Sequence, residues 1–372
     1  MSTCPSCSTP VSAQERFCEA CGADLAPATA TSAGSDGAGF EGAGLDGPGA
    51  DGAGTAAGEA GTWDDAGIAA TVEIPVVAPV CAACGGAIAA DGYCGTCGAR
   101  AADPRDHVVE QPASWVAAVC DRGIRHPRNE DAVAVAADPE PGSRAVLVVC
   151  DGVSSSIDSD VASLAGARAA RDVLATSSPQ GLGTASSRAA LISATLVKAT
   201  DAANAAVLAA TADGSPSPAS CTLVAGVLDG SLLVVGWVGD SRAYWLPDEG
   251  DASLLTVDDS FAAEQVAAGV PRRDAENGPH AHAITRWLGL DAPDHTPRTA
   301  SLRLDTAGWL LVCSDGLWNY CSEAADLSAL VGQTAQESGT EPSALAGALV
   351  DWANAQGGRD NISVALARYD PA

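Results

Sequence analysis

Acidic residues stand at the ends of five apolar runs in the second part of the sequence. They are Glu130 with Asp131, Asp151, Asp240, Asp315 and Asp360. A single aspartate at the end of a strand is usually a turn or capping residue. Carboxylates that converge from several strand ends would raise one another's pKa and would need a cation to hold them together. An all-oxygen site of this kind favours Mg²⁺ or Mn²⁺, and Gly152 leaves its backbone carbonyl open to such an ion.

Eight of the thirteen cysteines form two sets of four near the start of the chain. The first set is Cys4, Cys7, Cys18 and Cys21, and the second is Cys81, Cys84, Cys94 and Cys97. Each set consists of two Cys-x-x-Cys pairs, which is the spacing of zinc ribbons, where four thiolates surround one tetrahedral ion. We therefore expect two structural Zn²⁺ ions, whose binding would supply the folding energy of segments too small to bury a core. The alternative interpretation is redox-active or incidental cysteines.

Composition divides the chain into five parts. They are a zinc ribbon at 1–25, a disordered Gly/Ala/Asp-rich linker at 26–79, a second zinc ribbon at 80–100, a short linker at 101–113 and a large domain at 114–372. The long linker contains no Lys or Arg, so it is predicted to be a flexible, self-repelling tether. Thr71 lies in this linker between acidic residues and a short β-prone patch. A solvated threonine is the simpler interpretation, and a phosphorylation or docking site is the alternative.

The large domain consists of β-like runs with grouped helical patterns between them. Helices are predicted over about 159–175, 189–212 and 342–356. Because the strand runs surround grouped helices without strict βαβ alternation, the pattern indicates an α+β layered sandwich with largely antiparallel sheets. The other five cysteines lie mostly in or beside apolar runs and are interpreted as small core residues. They are Cys120, Cys150, Cys221, Cys313 and Cys321.

The formal charge of −28 limits the classes of partner. Both the first 113 residues and the rest of the chain are acidic, so neither part offers the basic surface that nucleic-acid binding needs. An acidic surface also disfavours anionic membranes. The first residues do not read as a signal peptide, and no run approaches the roughly 18 apolar residues of a membrane span. We therefore expect a cytoplasmic protein that binds neither nucleic acid nor membrane.

Five motifs in a set order connect the carboxylates to a known family. The segments "RNEDA", "CDG", "GDSRAY", "CSDGLW" and "RDNISV" follow one another between Trp115 and Tyr369. In this order they resemble the metal-dependent protein serine/threonine phosphatases of type 2C. The resemblance implies a four-layer α-β-β-α sandwich of two mainly antiparallel sheets, with a metal centre at one end of the paired sheets.

The resemblance also implies a role for each matching residue. The metal ligands would be Asp151 bridging two ions, the Gly152 carbonyl on the first ion, Asp315 and Asp360 on the second, and Asp240 on a third. Glu130 and Asp131 would hold metal-bound waters, and Asn361 would support Asp360. The ions would activate water for in-line attack on phosphorus, so no serine or cysteine nucleophile is required.

The chain departs from the family pattern around the predicted site. The segment 153–155, "VSS", replaces a turn that in some members carries a histidine proposed as a general acid. His126 stands where the family has a phosphate-binding arginine, and Arg125 and Arg128 flank it. Each of these three residues is a candidate phosphate contact, and an ordinary surface or ion-pair role is the alternative.

The segment 258–286 matches the variable flap that borders the family's cleft. Arg272 and Arg273 form a basic pair in it and are candidate contacts for acidic or phosphorylated substrates, with a solvated loop as the alternative. His280 and His282 are interpreted as solvent-facing rather than as metal ligands.

The expected activity is the hydrolysis of phosphoserine and phosphothreonine on proteins that a bacterial serine/threonine kinase has modified. Two or three Mn²⁺ or Mg²⁺ ions would occupy the site, the zinc ribbons would recruit an unknown protein partner or regulate turnover, and the chain would be a monomer. The alternative is a weak or inactive phosphatase-fold module that serves as a zinc-ribbon scaffold. The presence of Asp151, Gly152, Asp315 and Asp360 favours the enzyme.

Overall fold

The computed structural model describes residues 2–3, 10–11, 80–81, 84–176, 183–278 and 280–371. The chain divides into two compact units, one of Met1–Leu25 with Ala102–Ala372 and one of Ala26–Ala101, and each is described by itself. The first cysteine set, the linker 26–79 and Thr71 lie outside the described residues, so what the sequence indicates about them stays a prediction.

The secondary structure is mixed, with short strands and helices of very different length. The strands are β1 Ser2–Thr3, β2 Pro10–Val11, β3 His107–Ala113, β4 Val116–Asp121, β5 Ala132–Ala137, β6 Arg144–Cys150, β7 Ser220–Cys221, β8 Leu223–Asp229, β9 Leu232–Val238, β10 Arg242–Pro247, β11 Ser253–Leu254, β12 Leu288–Gly289, β13 Arg298–Arg303, β14 Gly308–Cys313 and β15 Ile362–Tyr369. The helices are α1 Ser159–Thr176, α2 Ala185–Ala210, α3 Phe261–Ala267, α4 Arg272–Glu276, α5 Asp315–Trp318, α6 Ala324–Ser338 and α7 Pro342–Gln356.

Two antiparallel sheets form the centre of the larger unit. One has the order β11-β10-β14-β15-β4-β3, and the other has the order β13-β9-β8-β6-β5. Because side chains alternate along a strand, Leu147 and Val149 of β6 pack between the two sheets, whereas Val146 and Val148 pack on the opposite face, against helices. The uninterrupted apolar run of β6 therefore serves two cores at once.

Helices cover the outer face of each sheet. The helices α1 and α2 pack on the five-stranded sheet, and α5, α6 and α7 pack on the six-stranded sheet. This arrangement confirms the predicted α-β-β-α sandwich. The starts of the long helices carry ordinary capping signals: the Thr184 side chain accepts from the Ser187 amide, and Glu341 accepts from the Ala344 amide with Pro342 in the first turn.

One helix in the described part of the chain, α2, is long and apolar enough to cross a membrane by length and composition alone. Its buried side chains, among them Leu196, Ala203 and Val207, pack in the cluster beneath the five-stranded sheet. A helix that buries one face in this way behaves as a core helix of a layered fold.

The structure places a strand where the sequence indicates a short linker. Residues 107–113 form β3, which pairs with β4 at the edge of the six-stranded sheet, and Arg105 donates to the Asp131 carbonyl at 2.7 Å. Residues 107–113 are therefore part of the six-stranded sheet, and the domain boundary at 114 stays a prediction. An edge strand with exposed and half-exposed side chains, and with Pro112 at its register irregularity, lacks the continuous apolar pattern of the inner strands.

Candidate active site and metal centre

Strand pairing gathers the acidic residues at one end of each sheet, where the strands begin or end. The start of β5 pairs with the end of β6, which brings Asp131 beside Asp151, and the end of β14 pairs with the starts of β10 and β15, which lie next to Asp240 and Asp360. A hydrogen bond joins the two ends, because Ser363 Oγ on β15 donates to Asp131 Oδ2 at 2.8 Å. The predicted convergence of strand ends is therefore present.

The gathered carboxylates repel one another. Burial, followed by the charges of the neighbouring aspartates, raises the pKa of Asp151 and Asp315 well above the usual range. Burial is also the main cause that raises the pKa of Asp131 and of Asp240, each to about 7. Charging these four side chains together is therefore unfavourable, and a bound cation would offset the repulsion between their negative charges.

The donor atoms of this cluster fit a hard metal ion. Asp315 Oδ2 accepts from Asn319 at 2.9 Å, but Oδ1 is buried and has no hydrogen-bond partner. A buried carboxylate oxygen without a donor is costly unless something else neutralises it. Among the described residues, only the cysteines of the second set bring three or more ligand atoms within 4.8 Å of one another, so the aspartates are spread more widely than a single-ion cage.

Two glycines let the backbone segments of the site approach closely. A Cβ on Gly152 would overlap the Glu130 carbonyl oxygen, and a Cβ on Gly316 would overlap the Asn361 carbonyl oxygen. The Asp-Gly pairs that follow β6 and β14 therefore share a packing reason for their glycine. The predicted role of the Gly152 carbonyl as a metal ligand is a separate matter and stays a prediction.

Glu130 is the centre of a hydrogen-bond network. Its Oε2 accepts from Ser154 Oγ at 2.7 Å, and its Oε1 accepts from Ser159 Oγ at 2.6 Å and from Arg128 at 2.7 Å. Burial opposes ionisation of Glu130, but the interaction with His126 and the hydrogen bonds from these partners outweigh it and lower its pKa to about 2. Ser154 and Ser159 are not among the predicted site residues, because only the fold brings them to Glu130.

The three candidate phosphate contacts differ in what surrounds them. His126 Nε2 lies 3.3 Å from Asp360 Oδ1 and Nδ1 lies 3.8 Å from Glu130, and the interaction with Glu130 is the main cause that raises the His126 pKa. Arg128 is paired with Glu130, whereas Arg125 is exposed. The structure thus places His126 between two acidic groups of the site.

Asn361 braces the loop that carries these residues. Its Oδ1 accepts from the Glu130 amide at 2.8 Å, and its Nδ2 donates to the carbonyls of Arg122 and Arg128 at 2.8 and 3.1 Å. The Asn361 amide itself donates to Asp360 Oδ1 at 2.8 Å. The side chain therefore supports the loop, and the backbone supports Asp360.

In the flap, Arg272 lies 3.1 Å from Glu276 and 3.6 Å from Glu323, so intramolecular carboxylates already pair with it. Arg273 is exposed on α4. The His280 ring stacks edge-on against Phe261, with ring centroids 6.5 Å apart, and His282 is exposed.

The second cysteine set forms a compact cluster in the smaller unit. The Sγ atoms lie 3.3 Å apart for Cys84 and Cys97, 3.5 Å for Cys84 and Cys94, and 3.6 Å for Cys81 and Cys97. Zinc–sulfur bonds of about 2.3 Å in a tetrahedron would place sulfurs about 3.8 Å apart. The cluster thus has nearly the dimensions of a tetrahedral thiolate site.

Each Cys-x-x-Cys pair of the second set is followed by a glycine in the left-handed backbone region. Gly85 and Gly98, which follow the second cysteine of each pair, have φ of 72° and 73°, the left-handed region that favours glycine. Amides of Cys97 and Thr96 point at the Cys94 sulfur and are the main cause that lowers its pKa to about 6. Such amides stabilise a thiolate, the form that binds metal.

Comparison with known proteins agrees with the fold. The family profile of protein phosphatase 2C matches residues 124–353. The serine/threonine phosphatase stp of Listeria innocua is 34% identical over 137 residues, which is 37% of this chain and 51% of that protein, so the chain spans about half the length of the curated relatives it matches.

Solved structures extend the similarity over the larger unit. The Mycobacterium tuberculosis serine/threonine phosphatase PstP/Ppp is 27% identical with a TM-score of 0.55, over 71% of this chain and 99% of that one. The catalytic domain of PstP in complex with two manganese ions is 25% identical with a TM-score of 0.50, over 71% and 100%. The chain belongs to the protein phosphatase 2C family.

Proposed function

We propose that this chain is a metal-dependent phosphatase that hydrolyses phosphoserine and phosphothreonine in proteins. The observation that carries the proposal is the cluster of buried and partly buried, mutually repelling aspartates at one end of the paired sheets, in a chain of the protein phosphatase 2C family. The relatives named above are serine/threonine phosphatases, and one of the solved structures holds manganese. Phosphoproteins made by a serine/threonine kinase are the proposed substrates.

The residues that would hold Mn²⁺ or Mg²⁺ are Asp151, the Gly152 carbonyl, Asp315, Asp360 and, for a third ion, Asp240. Bound ions would supply a water-derived nucleophile at neutral pH and neutralise charge on the phosphoryl oxygens. Asp131 would orient water from its place between the two sheet ends, where Ser363 holds its Oδ2.

The remaining residues of the site position other side chains or bind the phosphate. Glu130 holds Arg128 and His126 in place, and His126 in turn lies against Asp360. We assign the phosphate contact to Arg125, which is exposed. Arg128 then keeps its pair with Glu130. Ser154 donates its hydroxyl to Glu130, which supports a mechanism without a serine nucleophile.

Hydrolysis of a phosphothreonine peptide by the full-length chain, with and without Mn²⁺, tests this function. We expect Mn²⁺-dependent release of phosphate, and we expect Asp151→Asn or Asp315→Asn to reduce it by at least about 100-fold. The matched control is Asp305→Asn, an exposed aspartate that pairs only loosely with Arg303 at 3.5 Å. A full-length chain without activity, or Asp151→Asn and Asp315→Asn variants as active as the control, would contradict the proposal.

We further propose that the cysteine sets are structural zinc sites that recruit a protein partner or regulate turnover. The compact sulfur cluster of Cys81, Cys84, Cys94 and Cys97 supports one of the two sites. Metal analysis of the full-length chain is expected to find two zinc ions. The double substitution Cys94→Ser with Cys97→Ser should leave one, whereas Cys321→Ser, a partly buried core cysteine, should leave both.

A second candidate function is a zinc-ribbon scaffold whose phosphatase fold is weak or inactive. The departure at 153–155 favours it, since that turn offers no general acid and its Ser154 is bound to Glu130. The two candidates are separated by the peptide assay above, because a scaffold would bind a partner through residues 1–113 and release no phosphate.

A further inference from the structure

A fully buried arginine connects the flap to the acidic end of the sheets. Arg242, the first residue of β10, has no exposed surface, and its guanidinium lies 2.7 Å from both Asp258 and Glu276. Asp258 begins the flap segment, and Glu276 ends α4 within it. A buried guanidinium between two carboxylates is a rigid connection, because losing any partner leaves a charge unpaired away from water.

The same guanidinium contacts the element that carries a predicted metal ligand. Arg242 Cζ lies 3.6 Å from the centroid of the Trp318 ring, which is the stacking geometry of a cation–π pair. Trp318 is the last residue of the short helix α5, which begins at Asp315. Its indole Nε1 donates to the Asp240 carbonyl at 3.0 Å. One ring therefore joins Arg242, Asp240 and the helix of Asp315.

A second connection holds the turn before Asp240. The Asp259 amide donates to the Gly239 carbonyl at 2.9 Å, and Asp259 Oδ2 accepts from the Gly239 amide at 3.2 Å. Asp259 is itself buried and paired with Arg286 and Arg298 at 3.3 and 2.9 Å. The first two residues of the flap segment thus hold both sides of the turn that carries Asp240.

We propose that Arg242 and Trp318 are positioning residues that couple the flap to the metal site, so that the placement of α4 sets the placement of Asp240 and Asp315. The coupling runs from Glu276 and Asp258 to Arg242, from Arg242 to the Trp318 ring, and from Trp318 to Asp240 and α5. It rests on the proposed function only in taking these aspartates as metal ligands. Neither Arg242 nor Trp318 touches the substrate in this assignment.

Two mild substitutions in the zinc-loaded, full-length chain test the coupling. Trp318→Phe keeps an aromatic face for Arg242 but removes the donor to the Asp240 carbonyl. Glu276→Gln removes the negative charge at the end of α4 that pairs with Arg242. Calorimetry gives the affinity for Mn²⁺. Hydrogen exchange of residues 261–276 in the absence of metal reports on the flap. The loss of one hydrogen bond should weaken Mn²⁺ binding about fivefold in Trp318→Phe.

The two variants should differ in the flap. Glu276→Gln should speed exchange in α4 and weaken Mn²⁺ binding, whereas Trp318→Phe should weaken Mn²⁺ binding with little change in exchange. In the double variant the losses in affinity should be less than multiplicative, because the effect of Glu276 reaches Asp240 through the same Trp318 hydrogen bond that Trp318→Phe removes. Full independence of the two losses would overturn the coupling.

The matched control lies at the opposite end of the same sheet. There Arg368 pairs with Asp248 at 2.6 Å and lies over Trp309, 5.4 Å from its ring centroid. Trp309→Phe should leave Mn²⁺ binding unchanged. A Glu276→Gln variant with a loosened flap and Mn²⁺ affinity within about twofold of wild type would overturn the proposal. Hydrolysis is not one of these readouts, so its absence would count against the proposed function while binding and exchange still decide the coupling.

Discussion

The Ser154 hydroxyl donates a hydrogen bond to Glu130 Oε2 at 2.7 Å. Ser154 belongs to the turn in which this chain departs from its family, and Glu130 lies 24 positions earlier in the sequence. The same carboxylate also orients Arg128 and contacts His126. The altered turn is therefore a structural part of the acidic site and not merely a missing family feature.

Ser154→Ala tests this relationship. The substitution removes a hydrogen bond to a buried charge, so the free energy of unfolding should fall by about 1–2 kcal/mol at pH 7 in urea. Ser155→Ala is the control, because Ser155 is exposed and its contact with Ser217 is made by the backbone carbonyl. Equal stability of the two variants would show that the Ser154 bond contributes nothing.

Glu130 should make the stability of the domain depend on pH in the acid range. Its pKa in the folded chain is about 2, below the ordinary value of 4.5, so the folded state favours the charged form. The stabilisation is present above pH 4.5 and is lost as the pH falls toward 2. Between pH 2 and 6 the free energy of unfolding should change less with pH in Glu130→Gln than in wild type. An equal pH dependence in the two proteins would refute this assignment.

Asp240→Asn should have opposite effects without and with metal. Without metal it removes one of the repelling charges at the sheet end, so the thermal midpoint should rise by a few degrees, as when about 1 kcal/mol is gained. With Mn²⁺ the variant should gain less stability than wild type, because a proposed ligand is missing. Differential scanning calorimetry with EDTA and with Mn²⁺ measures both, and equal gains on adding Mn²⁺ would exclude Asp240 from the metal site.

Gly316→Ala should be severely destabilising. The added Cβ would overlap the Asn361 carbonyl oxygen, so the loop of Asp360 would have to move away from α5. We expect a loss of at least about 3 kcal/mol in the free energy of unfolding. Gly332→Ala on α6 is the control, since nothing lies within 4 Å of its Cβ, and a helix gains up to about 1 kcal/mol from this change. Similar stability of the two variants would contradict the close approach.

Much of the fold follows from local pattern. The helices predicted over 342–356 and over about 159–175 agree with α7 and α1, because the residues that each helix buries recur at helical spacing. The inner strands, such as β6, appear as continuous apolar runs because both of their faces are buried. The strand β3 and the helices of the flap were not predicted, since their side chains are largely exposed and their pairing partners lie elsewhere in the chain.

The sequence by itself determined which carboxylates end the strands, the Asp-Gly pairs that follow β6 and β14, and the spacing of the cysteines. These features depend on residue type and on neighbours within a few positions, so no fold is needed to read them. Only the tertiary structure decided that Ser154 serves Glu130, that His126 lies against Asp360, and that Arg242 connects the flap to Trp318. The physical reason is that these contacts join residues 24 to 234 positions apart, and sheet register and side-chain packing alone bring them together.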